Sequence, residues 1–487
     1  MKRIALAIIL CLTFAAAASA SAKAWFADIT QSEWYLPGAG QFVNNPLYND
    51  PFKCLGYPTG GQVYEPAHSY ENGYCVSLGD RDAANANGRV MVGFSTPVAD
   101  DPRNPYGLDF IVFGNAYFRL SMTENLPLYA DPNFRWQEPA FVEISQDGDQ
   151  WYLIRPNILP NDLIPAPGPN PYIPSSDTGF SSTGLYGYAD CTPTIELPTA
   201  GSNNPFSYVN RTPEELYTVP DRPSVPSGFN SERFDYVSGG GDAFDIADAV
   251  VQSAPGVPAL DSEGNEIKAN IGWFKYVRLT DAVAGDYFPG LGEISAEIDA
   301  VAACRPALSI GEAKKLADGE YALITDAIVT ATLPDAFFIE SPNRSAAMKV
   351  IYNTAVAVDG KKVALGDKMT ITGHISKGAF GFALPDPMWT CTEVECDLPN
   401  PVGMRLDALA DDLAYGMRVR VWGRKVDAGP GFCVINDGSA NVKLTWTNPA
   451  YAVADTPYLS AVGVCDRSED GSAIVRLSDP QNDITIY

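Results

Sequence analysis

The residues best suited to chemistry in this chain are carboxylates. Asp242, Asp245 and Asp248 follow the glycines Gly239, Gly240 and Gly241, while Asp109, Glu138, Glu297 and Asp299 stand in other short, motif-like stretches. Calcium takes about six to eight oxygen ligands, mostly carboxylate and carbonyl, and a glycine-rich loop turns its carbonyls toward an ion with little steric resistance. These side chains are the candidate metal ligands, and structural calcium is the cofactor they imply; nothing points to an organic one. The competing reading is local. Asp242 would cap a short helix over 243–252 and Asp245 would sit in its first turn, where negative charge is favoured without any ion. Asp261–Glu266 resembles a calcium loop but lacks the later glutamate at the required spacing, so a hairpin turn is expected there.

Turnover has less material. Glu138 and Glu143 are five positions apart on one expected strand, so they point to opposite faces and make a poor acid–base couple. His68 and His374 are the only histidines, and no G-x-S-x-G elbow, H-E-x-x-H or phosphate loop is present. The expectation is a non-catalytic protein. The alternatives are a secreted carbohydrate-active hydrolase using carboxylates and a purely structural surface protein. Sugar rings stack on aromatic side chains, which makes Trp136, Tyr172, Tyr186 and Tyr188 candidate ligand-binding residues; Trp151, placed at a strand, is expected in the core.

The elements that must position these groups read as strands. Arg89–Phe94, Asp109–Phe113, Phe141–Ile144 and Lys275–Leu279 are short and rich in β-branched and aromatic residues. Asp-Gly pairs at 147–148, 359–360, 437–438 and 470–471 supply the positive φ that tight turns need. Short helices are expected only at 243–252, 310–317 and 406–413. Residues 156–230 are rich in Pro, Gly, Ser and Asn and form a long insertion. Past residue 306 a weak repeat appears: Ile324–Val350 and Val419–Leu444 share a strand–turn–strand–turn–strand order, and each is followed by a further strand ending near a glycine.

Lys2 and Arg3 precede an apolar run and then small residues at 18–22, the pattern of a secretory signal over 1–22. That run is short for a membrane span, so the mature chain is expected to be exported, without a transmembrane segment. Outside the signal eight cysteines remain (Cys54, Cys75, Cys191, Cys304, Cys391, Cys396, Cys433 and Cys465), an even number that favours disulfides in an exported chain. Cys433 with Cys465 could staple the second repeat and Cys391 with Cys396 close a small loop; Cys54, Cys75, Cys191 and Cys304 allow three connectivities, of which Cys54–Cys75 with Cys191–Cys304 is favoured. The formal charge of −26 repels phosphate and attracts divalent cations.

Val76–Gly79, Gly107–Ala116, Glu138–Trp151, Gly239–Asp248 and Glu297–Val301 together resemble a group of bacterial secreted cell-surface proteins, and the Val142–Trp151 stretch is similar to discoidin and carbohydrate-binding jelly rolls. The repeat after 306 resembles tandem OB-fold modules. The resemblance implies an all-β chain: a signal peptide, a jelly-roll β-sandwich over 23–304, and two small OB-like barrels over 305–400 and 401–487. It implies a location outside the cell and a glycan or surface component as partner. Nucleic acid is excluded because no basic stripe is evident beside the aromatics.

Overall fold

A computed structural model describes residues 25–40, 42–58, 75–81, 87–120, 130–136, 138–156, 187–192, 194, 211–221, 237–282, 295–351, 363–378, 381–385, 387–454 and 456–487. The expected signal, most of the insertion, His68, Tyr172, Tyr186 and the Asp359-Gly360 turn lie outside them, as does the side chain of Trp136.

The chain is all-β, a jelly-roll sandwich followed by two OB-type barrels. The smaller sandwich sheet runs Val76–Ser77, Glu297–Ala303, Phe110–Gly114, Asp242–Phe244; in the larger one Arg89–Ala99, Trp273–Asp281, Ala140–Ser145, Tyr152–Ile154 and Ala249–Ala254 lie side by side. Val90, Val92 and Phe94 from the larger sheet and Phe110, Val112 and Ile298 from the smaller one fill one core. Phe110 meets Phe274 edge-on with ring centroids 4.8 Å apart, so aromatic volume joins the two layers. The smaller sheet is covered on its other face as well, where Ile111, Phe113 and Ala300 pack on Leu216 and Tyr217. That double cover explains why every residue of Phe110–Gly114 and Glu297–Ala303 is buried, polar ones included.

The expected helix over 243–252 is replaced by a strand at Asp242–Phe244, a single 3-10 turn at Ile246–Asp248 and a strand at Ala249–Ala254. The spacing of Phe244, Ile246 and Val250 fits a helical stripe. Val250 and Val251 instead pair with Leu153 and Tyr152, because β-branched residues gain more from a filled sheet than from an isolated helix. The helix expected over 310–317 is shortened to Ile310–Ala313, with a capping box of Ser309 and Glu312, and that over 406–413 to a 3-10 turn at Asp407–Ala410.

The repeat becomes two barrels of one topology. In the second, Arg418–Gly429, Phe432–Asn436 and Asn441–Thr445 form a meander, Ala473–Arg476 runs parallel to the third strand, and Tyr458–Arg467 closes onto the first. In the first, Tyr321–Thr332, Ala336–Glu340 and Ala347–Ile351 repeat that meander, with Gly381–Leu384 parallel to the third strand and Lys368–His374 beside the first. Gly438 and Gly471 turn the second barrel with φ of 94° and 83°, the role expected of the Asp-Gly pairs.

The first barrel is held on both sides. Leu323 packs with Val219, Val237 and Ala307, and the Tyr321 hydroxyl donates to the Glu215 carbonyl at 2.9 Å. On the other side Ala331 and Phe338 meet Val464 of the second barrel, and Glu340 accepts the Arg418 N–H at 2.8 Å. Lys349 of the first barrel and Arg476 of the second converge on Asp466, which is 1% exposed.

The disulfide expectation is corrected: all eight cysteines are thiols. Cys54, Cys433 and Cys465 serve as small apolar fillers of the cores, where burial pushes the Cys465 thiol up to about 11. Cys191 packs in one cluster with Phe141 and Tyr188, and Cys304 in another with Ile111 and Phe113. Among the described residues no helix is long and apolar enough to cross a membrane.

Candidate metal centre

Two carboxylate groups form on the sandwich, and the sequence candidates divide between them. In the first, Glu138, Asp190 and Glu297 each bring a carboxylate oxygen within 4.8 Å of the others. All are buried, Asp190 completely and the two glutamates at 6% exposure. Glu297 opens the last strand of the smaller sheet; Glu138 precedes the Ala140–Ser145 strand and donates its N–H to the Asp190 carbonyl at 3.1 Å. Asp190 follows the two-residue strand Tyr188–Ala189 with φ of 60°, an unusual conformation for a non-glycine residue. Its carboxylate accepts the Ala116 N–H at 2.8 Å on one oxygen and the Glu297 N–H at 3.0 Å on the other.

The space for that carboxylate is made by Gly114. A Cβ there would lie 2.3 Å from Asp190 Oδ1, far inside contact distance, so any side chain would push Asp190 out. Asn115 completes the group: its amide N–H donates to Glu297 Oε2 at 3.1 Å, and its own Oδ1 is buried with no hydrogen-bond partner among the described residues. An orphaned buried acceptor beside three carboxylates is the arrangement a hard cation satisfies. Burial first, and then the adjacent Glu297, push the Asp190 carboxyl well above the usual carboxylate range. The donor set is all oxygen, which fits calcium better than zinc, whose usual ligands are nitrogen and sulfur.

Asp242 stands next to this group but is spent on structure, its Oδ2 accepting the N–H groups of Cys191 (2.8 Å) and Thr192 (3.2 Å). It thereby fixes the loop that presents Asp190. Asp299, 1% exposed, lies two residues beyond Glu297, where its charge acts on Cys54 and Cys75.

The second group joins Asp100, Asp109 and Asp245, again within 4.8 Å. Asp109 is fully buried and accepts from Asp101 and Ile246 N–H groups and from the Asn104 amide. Burial pushes its carboxyl up to about 6. Asp245 caps the 3-10 turn through Ala247 N–H at 2.7 Å, whereas the local reading made Asp242 the cap and Asp245 a first-turn residue; Asp242 opens a strand instead. Asp248 belongs to neither group; it is exposed and 3.6 Å from Lys268 Nζ. The seven sequence candidates therefore do not share one site. Asp190 and Asp100, which no motif marked, complete the two groups.

The other candidates resolve simply. Tyr188 is 1% exposed and packs on Phe141, so it cannot be a surface ligand-binding residue. Trp151 is half-buried rather than core, with the Arg278 guanidinium 4.3 Å above its ring. Glu143 is held by Arg278 through two 2.6 Å contacts, while Glu138 lies before the Ala140–Ser145 strand rather than on it, so the two do not share one strand as expected. His374 contacts Glu215 at 3.1 Å at the junction of sandwich and first barrel. Asp261 accepts N–H groups of Glu263 and Asn265, the turn expected there.

No family model matches the chain, and no curated protein does. Solved structures do match. The telomere capping protein Ten1 from Saccharomyces pombe is 20% identical with a TM-score of 0.14, covering 18% of this chain and 81% of its own. The Ifi202 HINa domain in complex with 20-bp double-stranded DNA is 14% identical with a TM-score of 0.19, covering 34% of this chain and 98% of its own. A replication protein A heterotrimer bound to single-stranded DNA is 13% identical with a TM-score of 0.18, covering 37% and 50%. At these values the likeness is one of fold.

The partner reading is corrected. The matched structures include proteins solved with double-stranded and single-stranded DNA, and the glycan or surface-component partner is not carried further. The exclusion of nucleic acid rested on the lack of a basic stripe beside aromatics. The second barrel has one: Arg420, Trp422 and Arg424 alternate on the exposed face of its first strand.

Proposed function

We propose that this is a non-catalytic exported protein in which a calcium-stabilised jelly roll carries two OB-type barrels. The observation that carries the reading is the buried trio Glu138–Asp190–Glu297 with the unsatisfied Asn115 Oδ1 beside it. Three carboxylates in a desolvated space repel one another unless protons or a cation intervene. A bound calcium would draw on the three carboxylates and the Asn115 amide oxygen. It would neutralise charge between the smaller sheet, the loop at Asp190 and the entry to the Ala140–Ser145 strand. The role is structural: carboxylates this buried leave no approach for a substrate, which supports the non-catalytic reading over a hydrolase. The export assignment is supported by the charged and apolar pattern over 1–22.

The test is metal content and thermal unfolding. The purified chain is expected to hold about one calcium per sandwich and to lose it in Glu297→Gln. Metal analysis showing no calcium after dialysis against micromolar calcium would refute the assignment.

A further inference from the structure

We infer that the outer face of the second barrel binds single-stranded nucleic acid, by stacking bases on aromatic rings and pairing phosphates with arginines. The face is built from hydrogen-bonded strands in register. Arg424 lies opposite Tyr458, and Trp422 opposite Ser460. Beyond Tyr458, Tyr487 closes the row, its N–H donating to the Tyr458 carbonyl at 3.1 Å. Trp422, Tyr458 and Tyr487 are 48%, 55% and 74% exposed, and they border a hollow of about 500 Å³.

Exposed rings of this size normally pack down or bind something. What they bind is indicated by the arginines. The chain carries −26, yet among the described residues neither Arg420 nor Arg424 makes an ion pair with a carboxylate. The one carboxylate on the lining, Asp437, is turned to the backbone, accepting the Leu406 N–H at 3.0 Å and the Ser439 N–H at 2.8 Å. Alternate residues of a strand sit roughly 7 Å apart on one face. The first strand therefore presents guanidinium, indole, guanidinium in a line, and an extended single strand presents phosphate, base, phosphate. A duplex hides its base faces and would gain only the arginine contacts. Distant acidic residues do not forbid this, because charges farther than about 8 Å are largely screened at physiological salt.

The test is fluorescence anisotropy of a labelled oligothymidylate titrated with the full chain, alongside a duplex of the same length and fluorescent heparin. Saturable binding of the single strand is expected, with affinity falling roughly sevenfold between 50 and 200 mM salt if two phosphates are engaged. Trp422→Ala is expected to weaken it about tenfold or more, while Trp422→Phe keeps most of the affinity. Arg420→Ala with Arg424→Ala is expected to flatten the salt dependence. These side chains are exposed, so unchanged melting curves verify that the variants fold. No anisotropy change, equal affinity for the duplex, or full affinity in Trp422→Ala overturns the inference. So does heparin binding that survives Trp422→Ala without any oligothymidylate binding, which would assign the row to an anionic polysaccharide.

Discussion

The carboxylate trio of the sandwich and the arginine–aromatic row of the second barrel are chemical opposites, and burial is what separates them. Glu138, Asp190 and Glu297 are negative, at most 6% exposed, and tied to backbone from several elements. Arg420, Trp422 and Arg424 are open and alternate with the buried Val419, Val421 and Gly423. The first group can change how firmly the protein holds together but offers a partner nothing to touch. The second can touch a partner but holds little of the fold. The first barrel, with the same topology, shows what the row would otherwise look like. Its equivalent strand Tyr321–Thr332 is covered by the sandwich at Leu323 and by the second barrel at Ala331, and most of its residues are buried. One fold is thus covered on both sides in the first barrel and leaves one side open in the second.

That contrast can be broken most forcefully at buried charge. Asp466 joins Lys349 and Arg476 across the two barrels, and Asp466→Ala leaves both cations without it. A loss of about 3–5 kcal/mol is expected in denaturant unfolding of the barrel pair. A loss under about 1 kcal/mol would show that the pair is effectively solvated. Next in size is Gly114→Ala. Its Cβ would collide with Asp190, and a cost of about 1–3 kcal/mol is expected together with loss of calcium binding. Retained calcium in that variant would separate Asp190 from the site.

A smaller effect is expected from pH. Burial pushes Glu340 up from 4.5 to about 7. The folded chain thus keeps a proton that the unfolded chain sheds, and the stability this contributes is complete below about 4.5 and is lost as pH rises toward about 7. Glu340→Gln, which cannot titrate, is expected to flatten that fall in a series of melts from pH 5 to 8; an unchanged slope would place the titration elsewhere. The smallest effect belongs to the open row. Trp422→Ala and Arg424→Ala are expected to move stability by no more than about 0.5 kcal/mol. A larger change would mean that the row is part of the fold and not a surface.

How far these regions could be read beforehand follows the same division. Strands such as Phe110–Gly114 and Ala140–Ser145 announced themselves through β-branched and aromatic runs, and the Asp-Gly turns through glycine's freedom at positive φ. Glu138 and Glu297 stood in motif-like stretches. Asp190 did not: it sits well inside the Pro- and Gly-rich insertion, and only the folded loop, anchored by Asp242 on Cys191 N–H, brings it to them. Asn115 lies within the Gly107–Ala116 motif, but an amide carries no charge to mark it as a ligand. Asp109 and Asp245 were marked as ligands without any sign that they face Asp100 instead of Glu297. The basic row was missed for a different reason. A net charge of −26 averages over the chain, whereas three outward residues on one strand depend on alternation that must be followed position by position. The disulfide expectation failed because an even cysteine count does not say which cysteines meet, and most of these fill cores as thiols.

The most direct test of the central claim is scanning calorimetry of the purified chain in millimolar calcium and in excess EDTA. Calcium at about a hundred times its dissociation constant stabilises the form that binds it by roughly 2.7 kcal/mol. The sandwich transition is therefore expected to move up by several degrees with calcium, by more at pH 8 than at pH 5 because protons compete for the same carboxylates, and not at all in Glu297→Gln. Superimposable traces in calcium and EDTA at both pH values would contradict the account and leave the trio as a proton-sharing cluster.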